Sequence, residues 1–323
     1  MLNRRELLAA GAAAAASTFA PAALAQAFPS RPVKIVVPWT AGGTGDIQAR
    51  LIGQHMSQTL GQPVVVENKP GGGTVIATAL VAKAPADGHT LLLMANSFVI
   101  NAKLHASLPY DGIRAFDSVA CLTNSPQVIA VNAASPYKSF KDWVDAARAK
   151  PGTISYATVG PATTQHIAGE MLQRAAGIKL IYTPFGGGAP AVQAVLAGHV
   201  DTVLANLSEM NSFLEAGKMR PLAVTTLQRL ESLKNVPTVA ESGIAGYEAA
   251  AWFGLVAPKG TPADAVAKIA DAARRAMADA EVRKKLQAIG LDSYLMDPPK
   301  FAAHIADQFA RYSKVIDEAG IKA

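Results

Sequence analysis

Two segments place glycine and threonine where a short β-branched run gives way to a helical pattern. The first is Pro38-Trp39-Thr40-Ala41-Gly42-Gly43-Thr44-Gly45-Asp46, the second Thr158-Val159-Gly160-Pro161-Ala162-Thr163-Thr164. Glycine lets backbone N–H groups approach a bound molecule, and a helix N-terminus adds partial positive charge. Threonine hydroxyls add further donors. Such groups suit an anion, and two such loops could grip one between them. Neither segment contains Lys or Arg, so the anion would be met by dipoles. The plain alternative is a pair of tight βα turns that bind nothing. Asp46 likewise has a plain reading as a helix N-cap.

Other templates fit less well. Gly186-Gly187-Gly188-Ala189-Pro190-Ala191 matches G-x-G-x-x-A, but a dinucleotide site needs an acidic residue ending the next strand. Asp201 begins that strand instead, and Pro190 enters the first helical turn, so a Gly-rich turn feeding a helix fits better. His166 and Glu170 lie one helical turn apart, yet two ligands do not make a metal site. His166 is expected to orient a loop or face a pocket. Cys121 is the single cysteine, which excludes a disulfide within the chain and zinc sites with several thiolates. No Walker A, nucleophile elbow or H-E-x-x-H motif occurs. No cofactor or metal is expected.

These residues need elements to position them. The chain has 323 residues, 50% of them hydrophobic and 17% charged, which is ample for burial and unlike a disordered chain. Its net charge of +6 comes from scattered residues, not from the basic stripe of a nucleic-acid binder. Strand patterns fall at 33–37, 64–67, 90–94, 127–131, 154–157, 180–183, 200–204 and 222–225. Helical spacing falls at 46–60, 75–83, 139–150, 163–176, 189–197, 262–279, 281–289 and 298–319. This alternation predicts parallel βαβ units in two α/β lobes, with ligands at the strand carboxyl ends.

The first residues read as an address. Arg4 and Arg5 precede an apolar stretch over 7–19, followed by Pro21 and the sites Ala23-Leu24-Ala25 and Ala25-Gln26-Ala27. This is the layout of a cleaved secretory signal over residues 1–27. The apolar stretch is short of the ~20 residues that span a bilayer. The paired arginines lean toward twin-arginine export.

The chain resembles the extracytoplasmic solute-binding receptors of tripartite tricarboxylate transporters, the Bug-type proteins. The resemblance runs through Phe28-Pro29-Ser30-Arg31-Pro32-Val33, Pro38 to Gly43 with Asp46, Val66-Glu67-Asn68-Lys69-Pro70-Gly71-Gly72-Gly73 and Ala84-Pro85-Ala86-Asp87-Gly88. It continues through Ser155-Tyr156-Ala157-Thr158, His166-Ile167-Ala168-Gly169-Glu170 and Thr183-Pro184-Phe185-Gly186 onward. Val236-Pro237-Thr238 to Gly243 and Trp252-Phe253-Gly254 to Pro262 complete it.

The resemblance implies a two-lobed periplasmic-binding-protein fold, type II-like, with a hinge between Rossmann-like lobes. Residues 28–125 with 252–323 would form lobe 1, and 126–251 lobe 2, with crossovers near 124–128 and 250–253. It also implies a periplasmic monomer that passes one small carboxylate to transporter membrane subunits. The implied ligand set comprises Trp39, Thr40, Gly42, Gly43, Thr44, Asp46, Ser97, Asn101, Thr158, Gly160, Thr163, Thr164, His166, Gly187 and Asn206. Trp39 has hinge packing as its alternative role.

The chain departs from the family pattern at Pro161, Ala162, Gly186 and Ala205. Family members often carry glycine at the position of Ala162 and charged residues at those of Gly186 and Ala205. A less charged rim, together with Trp39, favours an aromatic or aliphatic carboxylate over a small amino acid. The alternative function is an exported hydrolase or isomerase acting on a small carboxylate.

The address has a direct consequence. Exported protein should begin at Gln26 or Phe28. N-terminal sequencing that still finds Arg4 in exported material would exclude cleavage.

Overall fold

The structure is a computed structural model and describes residues 28–105 and 107–321. The expected signal, residues 1–27, lies outside the described residues.

β1 (Val33–Val37) is a buried run of branched residues. It leads through the Gly-rich loop into α1 (Thr44–Leu60), whose N-cap is Gly43. The N-cap reading of Asp46 is thereby corrected, since Asp46 lies inside the first turn. In lobe 1, β1 lies between β2 (Val64–Asn68) and β3 (Thr90–Ala95), parallel to both. Next come β9 (Ala250–Pro258) and the first half of β4 (Phe116–Asn132), with antiparallel pairings from β3 onward. β10 (Asp292–Met296) pairs antiparallel with β4.

Lobe 2 uses the other half of β4. There it pairs antiparallel with β7 (Thr202–Asn206) and β8 (Met219–Val224). β5 (Ser155–Thr158) lies between β7 and β6 (Ile181–Pro184), parallel to both. The expected parallel βαβ units therefore make up only part of the sheet. β4 stays with β9 as far as Pro126↔Ala250 and takes up β7 at Gln127↔Asn206. Proline has no N–H to give a ladder, so Pro126 stands where the strand exchanges partners.

Helices cover both faces. α1 and α8 (Ala263–Ala278) pack on the face that carries Ile35, Val37, Leu91 and Leu93. Val36, Leu92 and Met94 point to the opposite face, as strand alternation requires. There they meet α2 (Val75–Ala82), α3 (Asn96–Leu104) and α10 (Pro298–Ala319). α9 (Ala280–Ala288) follows α8 and buries Val282 and Leu286 against it. In lobe 2, α4 (Phe140–Ala149) and α5 (Thr164–Ala176) cover Ile129, Val131 and Leu204. α6 (Gly188–Leu196) and α7 (Leu207–Glu215) cover Val128, Ala130 and Val203.

α3 and α7 were not expected from periodicity, because each follows its strand directly, with no Gly or Pro between. One residue extends a sheet by its side chain. Asn96 follows β3 and is fully buried. Its Oδ1 accepts the Trp252 N–H at 2.9 Å, and its Nδ2 donates to Ala250 O at 3.2 Å and Tyr312 Oη at 2.8 Å. The amide thus holds β9 where it crosses between lobes. Asn96→Ala would strand a buried N–H and a carbonyl, at about 1–3 kcal/mol for each unsatisfied group. Denaturant unfolding should show a loss of roughly 2–4 kcal/mol, and a loss below about 0.5 kcal/mol would exclude this role.

Candidate functional site

The loops after β1 and β5 face one another where the lobes meet, around a cavity of about 60 Å³. The lobes touch beside it. Thr44 Oγ1 and Ser208 Oγ lie 2.5 Å apart there, and at the far end of α5 the Arg174 guanidinium donates to Glu318 O. A Cβ placed on Gly187 would stand 3.6 Å from Thr40 Oγ1.

The first loop is shaped from within. Gly42 has φ +80, a left-handed conformation that glycine adopts freely. Its N–H donates to Asp46 Oδ2 at 2.9 Å, while Arg50 pairs with Asp46 Oδ1 at 2.9 Å. Burial would raise the Asp46 carboxyl, but these donors outweigh it and hold it below the usual aspartate range. Asp46 and Gly42 therefore fix the loop and do not line the cavity. Trp39 does line it, edge-on to Phe253 at 5.6 Å between centroids.

The second loop turns through Gly160 at φ +118 and Ala162 at φ +54. Ala162 is thus a side-chain residue in a conformation that suits glycine. Thr163 caps α5: its Oγ1 accepts the His166 N–H at 3.3 Å and donates to Gly160 O at 2.7 Å. His166 Nδ1 accepts the Ala162 N–H at 3.3 Å, and the ring stacks on Tyr182 at 4.3 Å. Burial lowers the His166 pKa, which keeps the ring neutral and able to accept. Thr158 Oγ1 accepts the Gly160 N–H at 3.4 Å.

Of the residues expected at the site, Trp39, Thr40, Gly43, Thr44 and Ser97 line the cavity from lobe 1. Thr163, Thr164, Gly187 and Asn206 line it from lobe 2. Thr158, Gly160 and His166 shape the second loop from behind and stand outside the wall. Asn101 is also outside it. Its Nδ2 donates to Gly73 O at 2.6 Å and Ser97 O at 2.8 Å, which fastens the turn before α2.

Sequence reasoning missed Gln165, Phe253, Ala251, Ala95 and Glu209, all of which line the cavity. Gln165 Nε2 donates to Asn206 Oδ1 at 3.0 Å. Glu209 is the one titratable side chain among the described lining residues. Its Oε2 accepts the Asn206 N–H at 3.0 Å, and burial pushes its pKa up to about 7. The available signal was the Asn206-x-x-Glu209 spacing, that of a capping box opening a helix. Cys121 is buried, with Sγ 3.5 Å from Phe253 O, and its thiol is pushed up to about 12 by burial.

The first loop offers a contrast between two glycines with ordinary φ. A Cβ on Gly45 would stand 2.6 Å from the Trp39 ring, whereas one on Gly43 meets only Thr40 O at 3.4 Å. Gly45→Ala should cost about 1–3 kcal/mol by overpacking and shift Trp39 emission. Gly43→Ala should do neither. Thermal unfolding followed by tryptophan fluorescence compares them, and equal behaviour would exclude this packing of Trp39.

Known proteins match this chain across nearly its whole length. The sequence profile of the tripartite tricarboxylate transporter family receptor, TctC, matches residues 48–321. A UPF0065 protein of Pseudomonas sp. (strain P51), from the tcbD-tcbE intergenic region, is 36% identical, covering 100% of this chain and 96% of its own. BugT of Bordetella pertussis is 31% identical over 92% of each chain. Among solved structures, R. palustris Rpa4515 with adipate is 34% identical, with TM-score 0.87 over 91% of this chain and 99% of that one. MatC from Rhodopseudomonas palustris with bound malate is 31% identical, with TM-score 0.82 over 90% and 100%. The fold is that of the periplasmic binding proteins, and the chain belongs to the tripartite tricarboxylate transporter receptor family.

Proposed function

We propose that this chain is an exported, periplasmic receptor that captures one small aliphatic or aromatic carboxylate between its lobes. It would present that ligand, as a monomer and without turnover, to the membrane subunits of a tripartite tricarboxylate transporter. The observation that carries this reading is the cavity wall. Thr40, Thr44, Ser97 and Thr164 line it with hydroxyls, that of Thr163 being given to Gly160 O, and no Lys, Arg or His stands among the described lining residues. Hydrogen bonds to a charged acceptor contribute ~1.5–3 kcal/mol each. A few of them, preorganised, reach the roughly −8 kcal/mol of micromolar affinity. Trp39, Phe253, Ala95 and Ala251 supply an apolar wall, which suits a hydrocarbon body. The adipate and malate in the two R. palustris proteins support this ligand class.

We assign residues 28–125 with 252–323 to one lobe and 126–251 to the other. The partner exchange within β4 and the crossing of β9 supply the hinge. Opening about these strands would admit the ligand, and binding would favour the closed form.

Calorimetry with adipate, malate and benzoate tests the reading. At least one should bind with micromolar affinity and be recovered unchanged by NMR. Gly43→Val should weaken it at least tenfold while the fold persists, because Gly43 has φ −80, which valine tolerates. Raising salt from ~0.05 to ~0.5 M should change affinity little, since enclosed interactions are poorly screened. Absence of binding by all three would overturn the carboxylate reading, and consumption of a bound probe would favour the hydrolase or isomerase.

A further inference from the structure

One carboxyl stands in a cavity wall otherwise made of hydroxyls, amides and apolar groups. Glu209 reaches it from the first turn of α7. Its Oε2 is held by the Asn206 N–H at 3.0 Å. Oε1 has no protein hydrogen-bond donor among the described residues. The carboxyl lies directly over Gly188, where a Cβ would fall 2.0 Å from its carbon, so no side chain screens it there.

Among the described residues, no cation neutralises this group. α6 and β7 carry no titratable side chain. On β8, Arg220 is engaged with the carbonyls of Ala133 and Tyr137. On β4, Asp117 pairs with Lys259, and Cys121 is buried against Phe253 O. On α7 itself, Glu215 accepts from Asn211. From the facing elements, Asp46 of α1 is paired with Arg50, and His166 of α5 stacks on Tyr182.

We propose that Glu209 determines specificity as a protonated donor: its O–H hydrogen-bonds a ligand carboxylate oxygen, so that capture takes up one proton from solution. The inference rests on the carboxylate reading and deepens it. An ionised Glu209 would set two carboxylates in one enclosed site, and like charges sharing a site raise the pKa of one of them. Burial has already brought the group to about 7, so protonation near neutral pH is accessible. The same acid would disfavour nothing in the hydrocarbon body. It would reject a ligand only where a second like charge cannot be neutralised.

The test is calorimetry with the tightest binder among adipate, malate and benzoate, in buffers of different ionisation heat. With the free acid near 7, wild-type affinity should fall about tenfold from pH 6 to pH 8. Proton uptake should approach about one per ligand near pH 8 and vanish near pH 6. Glu209→Gln, which keeps a donor and cannot titrate, should bind with a flat pH profile and no proton uptake. If that variant fails to fold, proton uptake by the wild type alone decides.

Binding without proton uptake, or affinity that rises with pH, would overturn the inference and leave the carboxylate reading standing. Preference for aspartate over succinate would do the same, because it would show an ionised Glu209 holding an ammonium group. Failure of every carboxylate to bind at any pH would overturn the carboxylate reading itself, and this inference with it.

Discussion

Glycine stands at several points where the two lobes meet, and the close approach of its main chain to the facing residues shapes the space between them. Gly187 brings its Cα beside Thr40, and a Cβ on Gly73 would stand 3.7 Å from Pro161 O across the interface. A Cβ on Gly290 would press to 2.9 Å from Leu207. A side chain would strain the backbone at both Gly73, where φ is +59, and Gly290, where φ is +76, and at Gly290 it would also press on Leu207. The glycines sit at the ends of strands and at turns because those are the places where the chain reverses above the sheet. The cavity is the space that this close approach leaves.

Within that space, the proposed recognition would depend on direction more than on net charge. A Lys or Arg would attract any anion from a distance. Backbone N–H groups and hydroxyls act only at hydrogen-bond length, and so discriminate by geometry. The loops are accordingly braced from behind. Asp46 fixes the Gly42 N–H, and His166 fixes the Ala162 N–H. Thr163 ties Gly160 to the start of α5. These groups hold donors in place, as a preorganised site requires. The left-handed Ala162 shows that the loop conformation is kept even with a side chain that does not favour it.

Much of the fold was legible because its periods are clean. Residues 298–319 have strong helical spacing, and α10 matches them. β1 is a bounded β-branched run, and it too appears as expected. The long β4 was legible only at 127–131. Its earlier part carries Asp117, Ser118, Thr123 and Asn124, and bulges between Ser118/Ala120 and Cys121/Thr123 break the alternation. β9 is rich in alanine and buried along nearly its whole length, so it has no alternating face to read. In the site, residues within the Gly-rich loops could be placed from sequence. Phe253 and Glu209 could not, since tertiary pairing alone brings a strand from the other end of the chain and a later helix to the same cavity. Asn101 and His166 were legible as polar residues near the site. Only the hydrogen bonds show that they brace it.

A crystal structure of residues 28–323 with adipate or benzoate would show where and how the ligand is held. The carboxylate should lie between the loops after β1 and β5, met by backbone N–H groups and threonine hydroxyls, with no Lys or Arg in contact. A carboxylate bound outside this cavity, or held there by a basic side chain, would contradict this reading.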